Sequence, residues 1–453
     1  MNSIPVIAIF DVGKTNKKLF LFDEHYRIVF EKTLQFTEIV DEDGDPCENL
    51  EALTIWGRDS LKELIALEQF DIKALNFSAY GASFVHIDEE GKPVAPLYNY
   101  LKPFPENLKQ QFYNTYGGEI PVSMITASPV LGNLNSGMQL YWLKNNQPKV
   151  FEKINYSLHL PQYLSYLITA EPYSDITSIG CHTNLWNFPQ HGYHEWVLRE
   201  GIAEKLAPIY SSADVVDARA FWKNFKVGIG LHDSSSALIP YLACFTEPFI
   251  LISTGTWCIT LNPFNKHSLT EDELKQDCLC YMSYKGEPVK ASRLFAGNEH
   301  EIEIKRLALH FKVVNDNYKT VEYDEKIIAE LTGNNPEAPE VKFADRNLAD
   351  YKNYSIAYHR LILDIMWQQL ASTKLVIQDD KVNRIFVDGG FSKNAIYMHL
   401  LAEAFPEMEV YAASVAQATA VGAALAIHKH WNSKPLPGDI IDLKFYAKPS
   451  IAS

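Results

Sequence analysis

Three short glycine turns and two aspartates carry the chemistry available to this sequence. Gly13-Lys14-Thr15-Asn16 joins the apolar runs 6–10 and 19–22, and Thr254-Gly255-Thr256-Trp257 joins the runs 249–253 and 258–261. Asp388-Gly389-Gly390 follows a third apolar run, 385–387. Glycine lets a backbone approach a ligand closely, and successive N–H groups in such a turn form an anion-binding nest. Thr15, Asn16 and Thr256 add hydroxyl and amide donors, and Lys14, Lys17 or Lys18 adds charge. Any one of these turns is equally compatible with a plain β-turn; the three together point to phosphate. Asp11, at the end of the first run, either holds a hydrated Mg²⁺ beside those phosphates or shapes the turn. Asp233 stands between His232 and Ser234-Ser235-Ser236. Transfer of a phosphoryl group to an alcohol needs one carboxylate to take the hydroxyl proton, and Asp233 has that chemistry. Read locally, Asp233 is also a helix N-cap and His232 a core histidine.

The elements that position these groups alternate between strand and helix. Each glycine tip sits in a strand–turn–strand hairpin, and the two hairpins open different halves of the chain, which predicts a duplicated α/β domain. Apolar spacing predicts helices over 50–67 and 354–376, one from near Asn135 to Asn146 burying Leu140, Trp142 and Leu143, and one starting at Pro161. Strands over 75–78 and 84–88 flank Tyr80-Gly81-Ala82-Ser83, and a helix over 392–405 takes Ser392 as its N-cap. Residues 332–351 read as a loop. Asp41-Glu42-Asp43-Gly44-Asp45-Pro46 reads as a solvated acidic turn, with cation binding as the alternative. No Gly-x-x-x-x-Gly-Lys-[Ser/Thr] loop occurs, and Gly228-Ile229-Gly230 lacks the third glycine of a dinucleotide fingerprint.

Composition narrows the partners. The 453 residues include 41 Lys plus Arg against 56 Asp plus Glu, a net charge of −15. That balance disfavours nucleic acid and anionic membrane surfaces, while leaving room for an anionic small ligand bound by backbone N–H groups. The length predicts two domains. Six scattered cysteines, with Cys278 and Cys280 lacking a second pair, suit neither a disulfide scaffold nor zinc. No apolar run approaches the roughly 20 residues of a membrane span, and the opening MNSIPVIAIFD has no basic leader. A reduced cytoplasmic protein is expected.

Taken in order, Asp11-x-Gly13-x-Thr15-Asn16-x-Lys18, Thr254-Gly255-Thr256-Trp257 and Asp388-Gly389-Gly390-Phe391-Ser392-Lys393-Asn394 resemble the nucleotide-site motifs of the FGGY carbohydrate kinases, in the actin/Hsp70/sugar-kinase superfamily. Within that family the details are most similar to the rhamnulokinases: His232-Asp233-Ser234-Ser235-Ser236-Ala237, Tyr80-Gly81-Ala82-Ser83-Phe84-Val85, the segment 135–140 and the segment 160–166. The resemblance implies an α/β fold of two ribonuclease-H-like (actin-like ATPase) domains flanking a cleft. The sugar-binding domain would cover residues 1–240, the ATP-binding domain 241–430, and a C-terminal extension 431–453. It implies Asp233 as the catalytic base, with Gly81, His232 and Ser234 at the sugar. Gly13, Lys14, Thr15, Asn16, Lys17, Gly255, Thr256, Gly389, Gly390 and Asn394 would form the ATP site, and Asp11 would hold Mg²⁺.

The implied reaction is ATP-dependent phosphorylation of a ketose at a primary hydroxyl, L-rhamnulose first and L-fuculose next, by a monomer or homodimer. Tyr80, Phe84 and Tyr100 are candidates for an apolar wall against the sugar's methyl group. Many family members carry Trp-x-Asp-x-Arg where this chain reads Tyr98-Asn99-Tyr100-Leu101-Lys102-Pro103, which weakens xylulose or glycerol among the alternative substrates, ribulose being a further one; Ser83 also replaces an aspartate. No sugar contact is assigned to 291–299. A non-enzymatic actin-like nucleotide-binding protein would share the ATP turns, and a hydrolase would use water as acceptor. Asp233 beside a sugar pocket argues for the kinase.

Overall fold

In the computed structural model two seven-stranded sheets follow one another along the chain. The structure describes residues 3–220, 223–333, 341–377 and 382–446; the middle of the expected 332–351 loop and the end of the 431–453 extension lie outside them. The first sheet contains β1 (Ile4–Val12), β2 (Lys17–Asp23), β3 (Ile28–Leu34), β4 (Phe70–Ala79), β5 (Val215–Ala220), β6 (Lys223–Gly228) and the short β7 (Leu231–His232). The second contains β8 (Phe249–Thr254), β9 (Cys258–Asn262), β10 (Cys278–Met282), β11 (Pro288–Leu294), β12 (Arg384–Gly389), β13 (Glu409–Ser414) and β14 (Asp442–Tyr446).

The repeat suggested by the two hairpins extends to the whole sheet. In the first, β3-β2-β1-β4-β6 runs as an antiparallel meander followed by parallel neighbours. In the second, β11-β9-β8-β12-β13 repeats that order and those directions. This is the ribonuclease-H-like arrangement, present twice. The central strands are apolar on both faces because both are covered: every residue from Val6 to Phe10 is buried. The strand Asp442–Tyr446, from the expected C-terminal extension, closes one edge of the second sheet.

The helices follow the expected spans with instructive differences. α1 (Leu50–Ile65) starts at Asn49, whose side chain accepts the Ala52 N–H, and α2 (Ser136–Asn146) is buried all the way from Ser136 to Leu143 rather than on one face. α3 (Leu160–Thr169) carries Pro161 in its first turn. α4 (Asp233–Cys244) leads out of the first sheet into β8; later come α5 (Ala296–Phe311), α6 (Tyr354–Ile377), α7 (Ala395–Ala404) and α8 (Ala418–Ala426). The N-cap of α7 is Asn394, whose side chain accepts the Tyr397 N–H, and not the expected Ser392, which donates to the Gly389 carbonyl and sits in a 3-10 turn. No helix among the described residues is long and apolar enough to cross a membrane, and all six cysteines are free.

The two halves are joined by α4 and α8. α8 is built of small residues, and a Cβ on Gly422 would overlap the Ser236 carbonyl of α4. One core passes through this contact, from Ile7 and Phe20 of the first sheet through Leu238 and Ala420 to Phe249 and Phe386 of the second. Backbone lies against backbone here, with no side chain free to move aside. Gly422→Ala is therefore expected to lower the unfolding free energy by about 1–3 kcal/mol, read from the denaturation midpoint. An unchanged midpoint would show that the helices are not held this closely.

Candidate active site

β1 and β2 pair in register up to Val12 and Lys17, and the tip between them is closed by Gly13 N–H donating to the Asn16 carbonyl at 2.9 Å. Thr15 and Asn16 are exposed, and the N–H groups of Lys14 and Thr15 donate to no protein acceptor among the described residues. Three lysines follow the glycine, and the structure separates their roles. Lys14 Nζ pairs with Glu38 at 2.7 Å. Lys17, assigned by resemblance to the ATP site, is buried with its ammonium on Glu48 at 2.8 Å, so its charge does not face the tip's outer side. Lys18 lies beside Asp11, whose carboxyl it stabilises in the charged form, and donates to Gln417 Oε1 at 3.0 Å.

Thr254 holds the second tip to the third turn. Its carbonyl accepts Gly390 N–H at 2.9 Å, and its hydroxyl donates to the Asp388 carbonyl at 2.6 Å while accepting Phe391 N–H at 3.0 Å. Gly389 has φ +90°, and a Cβ there would overlap the Thr254 carbonyl, so this turn requires glycine twice over. The start of α5 seats on the second tip: a Cβ on Gly297 would overlap the Gly255 carbonyl, and Asn298 N–H donates to the Thr256 carbonyl at 3.1 Å. Beside the second tip and the third turn lies a cavity of about 610 Å³ lined by Thr254, Gly255, Gly297, His300, Tyr318, Gly390, Phe391 and Asn394 among others.

Asn394 belongs to the wall of that cavity with both ends of its amide engaged, Oδ1 on Tyr397 N–H and Nδ2 on the Tyr358 hydroxyl at 2.7 Å. His300 Nε2 is 2.9 Å from the same hydroxyl, and burial pushes its pKa down to about 4, leaving it neutral. Gly297, His300 and Tyr318 were not foreseen; the glycine just inside a helix that follows a strand is the signal that marks the first of them.

Asp233 reaches the cleft because β7 pairs Leu231 and His232 with Ser78 and Ala79 at the end of β4, beside Tyr80-Gly81. It is the first residue of α4; the capping position belongs to His232. Its Oδ1 accepts Ser234 N–H at 2.6 Å and the Ser234 hydroxyl at 3.2 Å, with His232 Nε2 at 3.3 Å. Those bonds favour the carboxylate, but burial outweighs them and pushes the pKa up to about 6, although 30% of the side chain remains exposed.

Asp11, half-buried, is likewise pushed up to about 6, first by burial and further by the charge of Asp233, against a hydrogen bond from Thr419 at 2.9 Å. His232 is buried, pushed down to about 4, stacked on Tyr281 of β10, and its Nδ1 has no partner among the described residues. Gly81 leaves it room, since a Cβ there would come within 2.8 Å of His232 Nε2.

Of the apolar candidates, Tyr100 is near enough to Asp233 for that charge to raise its hydroxyl pKa, after burial. Phe84 instead packs in the core against His159, ring centroids 3.9 Å apart, and so is removed from the wall. The acidic loop is also corrected. Asp41 is buried, and Lys102 reaches it at 2.6 Å, Asp43 at 2.7 Å and Asp45 at 3.4 Å, so an ammonium occupies the place offered to a cation. Among the described residues no group of three or more His, Cys, Asp or Glu is placed to hold a metal. Asp11 and Asp233 are too few for a protein cage but suit Mg²⁺, which keeps most of its waters and takes substrate phosphate oxygens.

Residues 6–239 match the N-terminal domain of the FGGY family of carbohydrate kinases, and residues 246–435 match the carbohydrate kinase FGGY C-terminal domain. The chain is 25% identical over 271 residues to an L-fuculokinase of Salmonella typhi, covering 56% of each protein. It is 24% identical over 182 residues to a rhamnulokinase of Halalkalibacterium halodurans, covering 39% of this chain and 37% of that one. The chain thus spans about half or less of the curated relatives it matches. Among solved structures, a carbohydrate kinase from Novosphingobium aromaticivorans superposes with a TM-score of 0.81 at 22% identity, over 99% of this chain and 95% of that one. A ligand-bound xylulose kinase from Lactobacillus acidophilus gives 0.78 at 16% identity, over 98% and 94%. At these identities the structures establish the two-domain fold.

The raised pKa of Asp233 has a consequence for the unliganded protein. Its folded-state value lies above the ordinary 3.8, so the ionised carboxylate costs stability fully above about pH 6 and not at all below about 3.8. Asp233→Asn is expected to raise the thermal midpoint at pH 7.5 and to leave it unchanged at pH 3.5. A lowered midpoint at pH 7.5 would contradict the assigned burial.

Proposed function

Since the chain belongs to the FGGY family of carbohydrate kinases, we propose that it transfers the γ-phosphoryl group of ATP to the primary hydroxyl of a deoxyketohexose, L-rhamnulose in the first place and L-fuculose in the second. The observation that carries this reading is the position of Asp233. It lies within electrostatic reach of Asp11, at the foot of the first glycine tip, and of Tyr100, and its Oδ1 is 3.3 Å from His232 Nε2. The domain division at residue 240 belongs to the same reading, with the acceptor against the first domain and ATP against the second.

The residues divide the work as follows. The Asp233 carboxylate accepts the hydroxyl proton as the sugar oxygen forms its bond to the γ-phosphorus. The bond from that phosphorus to the bridging oxygen breaks, and ADP leaves with the electron pair. The N–H groups of Lys14 and Thr15 at the first tip and of Thr256 at the second, which have no protein acceptor among the described residues, are offered to the charge on the transferring group, and the 610 Å³ cavity beside Gly390 takes the nucleoside. Asp11 is the residue suited to hold Mg²⁺, which supplies charge neutralisation at the phosphates. His232, neutral and with Nε2 3.3 Å from Asp233 Oδ1, stands beside the base without competing for the acceptor's proton. Tyr100 offers an aromatic wall for a methyl group. An actin-like sensor would need the tips but would have no use for a carboxylate against an acceptor wall.

An ADP-release screen over L-rhamnulose, L-fuculose, L- and D-xylulose, L- and D-ribulose and glycerol tests the substrate. Greatest stimulation by L-rhamnulose is expected; release independent of any sugar would favour hydrolysis instead. Asp233→Asn should lower kcat by roughly 10²–10⁴-fold while leaving nucleotide affinity largely intact. Because the base works ionised, kcat/KM should fall as pH drops through about 6. A flat profile between pH 5 and 8 would remove Asp233 from that role.

A further inference from the structure

Lys17 and Glu48 form an ion pair almost without water, their side chains 2% and 3% exposed. Desolvation offsets most of the attraction in such a pair, so stability alone is a poor reason for it. Its placement offers a better one. Lys17 follows the first tip directly, and Nζ donates both to Glu48 Oε2 at 2.8 Å and to the Lys14 carbonyl, inside the tip, at 3.0 Å. Glu48 Oε2 also accepts the Tyr80 hydroxyl at 3.3 Å, and Tyr80 N–H donates to the Val12 carbonyl at 3.1 Å, at the foot of the tip. Tyr80 is the residue before Gly81 on the acceptor side.

A trans peptide points its C=O and the next N–H in opposite directions. With the Lys14 carbonyl drawn inward to the buried ammonium, the Thr15 N–H of the same peptide faces away from it. Released from Lys17, that peptide is free to turn and present its oxygen where a phosphate must sit. We propose that Lys17 and Glu48 are positioning residues: they fix the orientation of the first phosphate tip and hold it in register with the acceptor wall through Tyr80. This inference rests on the reading of the tip as a nucleotide site.

The double variant Lys17→Met/Glu48→Leu tests it, because neither charge is left buried alone. Its thermal midpoint should equal or exceed the parent's. Its calorimetric affinity for the Mg²⁺ complex of AMP-PNP should fall by about tenfold, kcat should fall by a similar factor, and KM for the sugar should stay within about twofold. Glu48→Asp, which keeps the charge but shortens its reach, should lie between parent and double variant in affinity. Parent-like affinity in either folded variant overturns the proposal, as does failure of the parent to bind the analogue. A parent that binds the analogue but phosphorylates no sugar would overturn the kinase reading, while calorimetry would still decide this one.

Discussion

The close approach of α4 and α8 is the constraint on which the rest of the site depends. α4 presents Asp233 at its N-terminus and, further along, Tyr241, whose hydroxyl donates to Asp388 Oδ2 at 3.1 Å. α8 presents Thr419, whose hydroxyl donates to Asp11 and whose carbonyl accepts the Ser236 hydroxyl at 2.7 Å. Asn76, fully buried in β4, ties the far end of α8 to the first sheet through the Ala423 carbonyl at 2.8 Å. Asp233 from one half and glycine turns from both are thus fixed by one helix pair, and the small residues of α8 make that pair possible.

The same packing sets the electrostatics. Two carboxylates are drawn into a partly buried cleft, and both are made more basic than a surface aspartate. For Asp233 this brings a weak base closer to neutrality, where it accepts a proton more readily. For Asp11 it creates a need for positive charge that Lys18 answers only in part. The site is therefore less stable empty than occupied, the expected cost of preorganisation.

Much of this was legible in the sequence, and the boundary is physical. Strand–turn–strand hairpins, α1 and α6 declare themselves through local periodicity, and the three glycine turns through their spacing. What escaped depends on contacts between distant residues. Nothing local says which of Lys14, Lys17 and Lys18 is claimed by a glutamate, because Glu38 and Glu48 are brought there by other elements. Lys102 inside the acidic loop is the same case. α8 carries no strong amphipathic pattern because it is buried on nearly every side; its run of alanines with Gly422 is the only sign of a close helix contact. The cavity beside Gly390 needed Tyr318 and His300 from a region with no recognisable motif.

The scarcity of free cations at the first tip is in keeping with the net charge of −15. The lysines that would make a basic phosphate surface at the first tip are tied to Glu38 and Glu48, and the second tip, Thr254-Gly255-Thr256-Trp257, has no cation in its turn. What remains for an anion is Lys18 beside Asp11, Lys319 and Lys393 at the cavity next to Gly390, and a set of oriented N–H groups. Such groups act over a short range and only in one geometry. They suit a ligand whose phosphates must be held at one angle to Asp233, and they give no purchase to a polyanion arriving from any direction. A net acidic chain is therefore compatible with an anion bound at these turns.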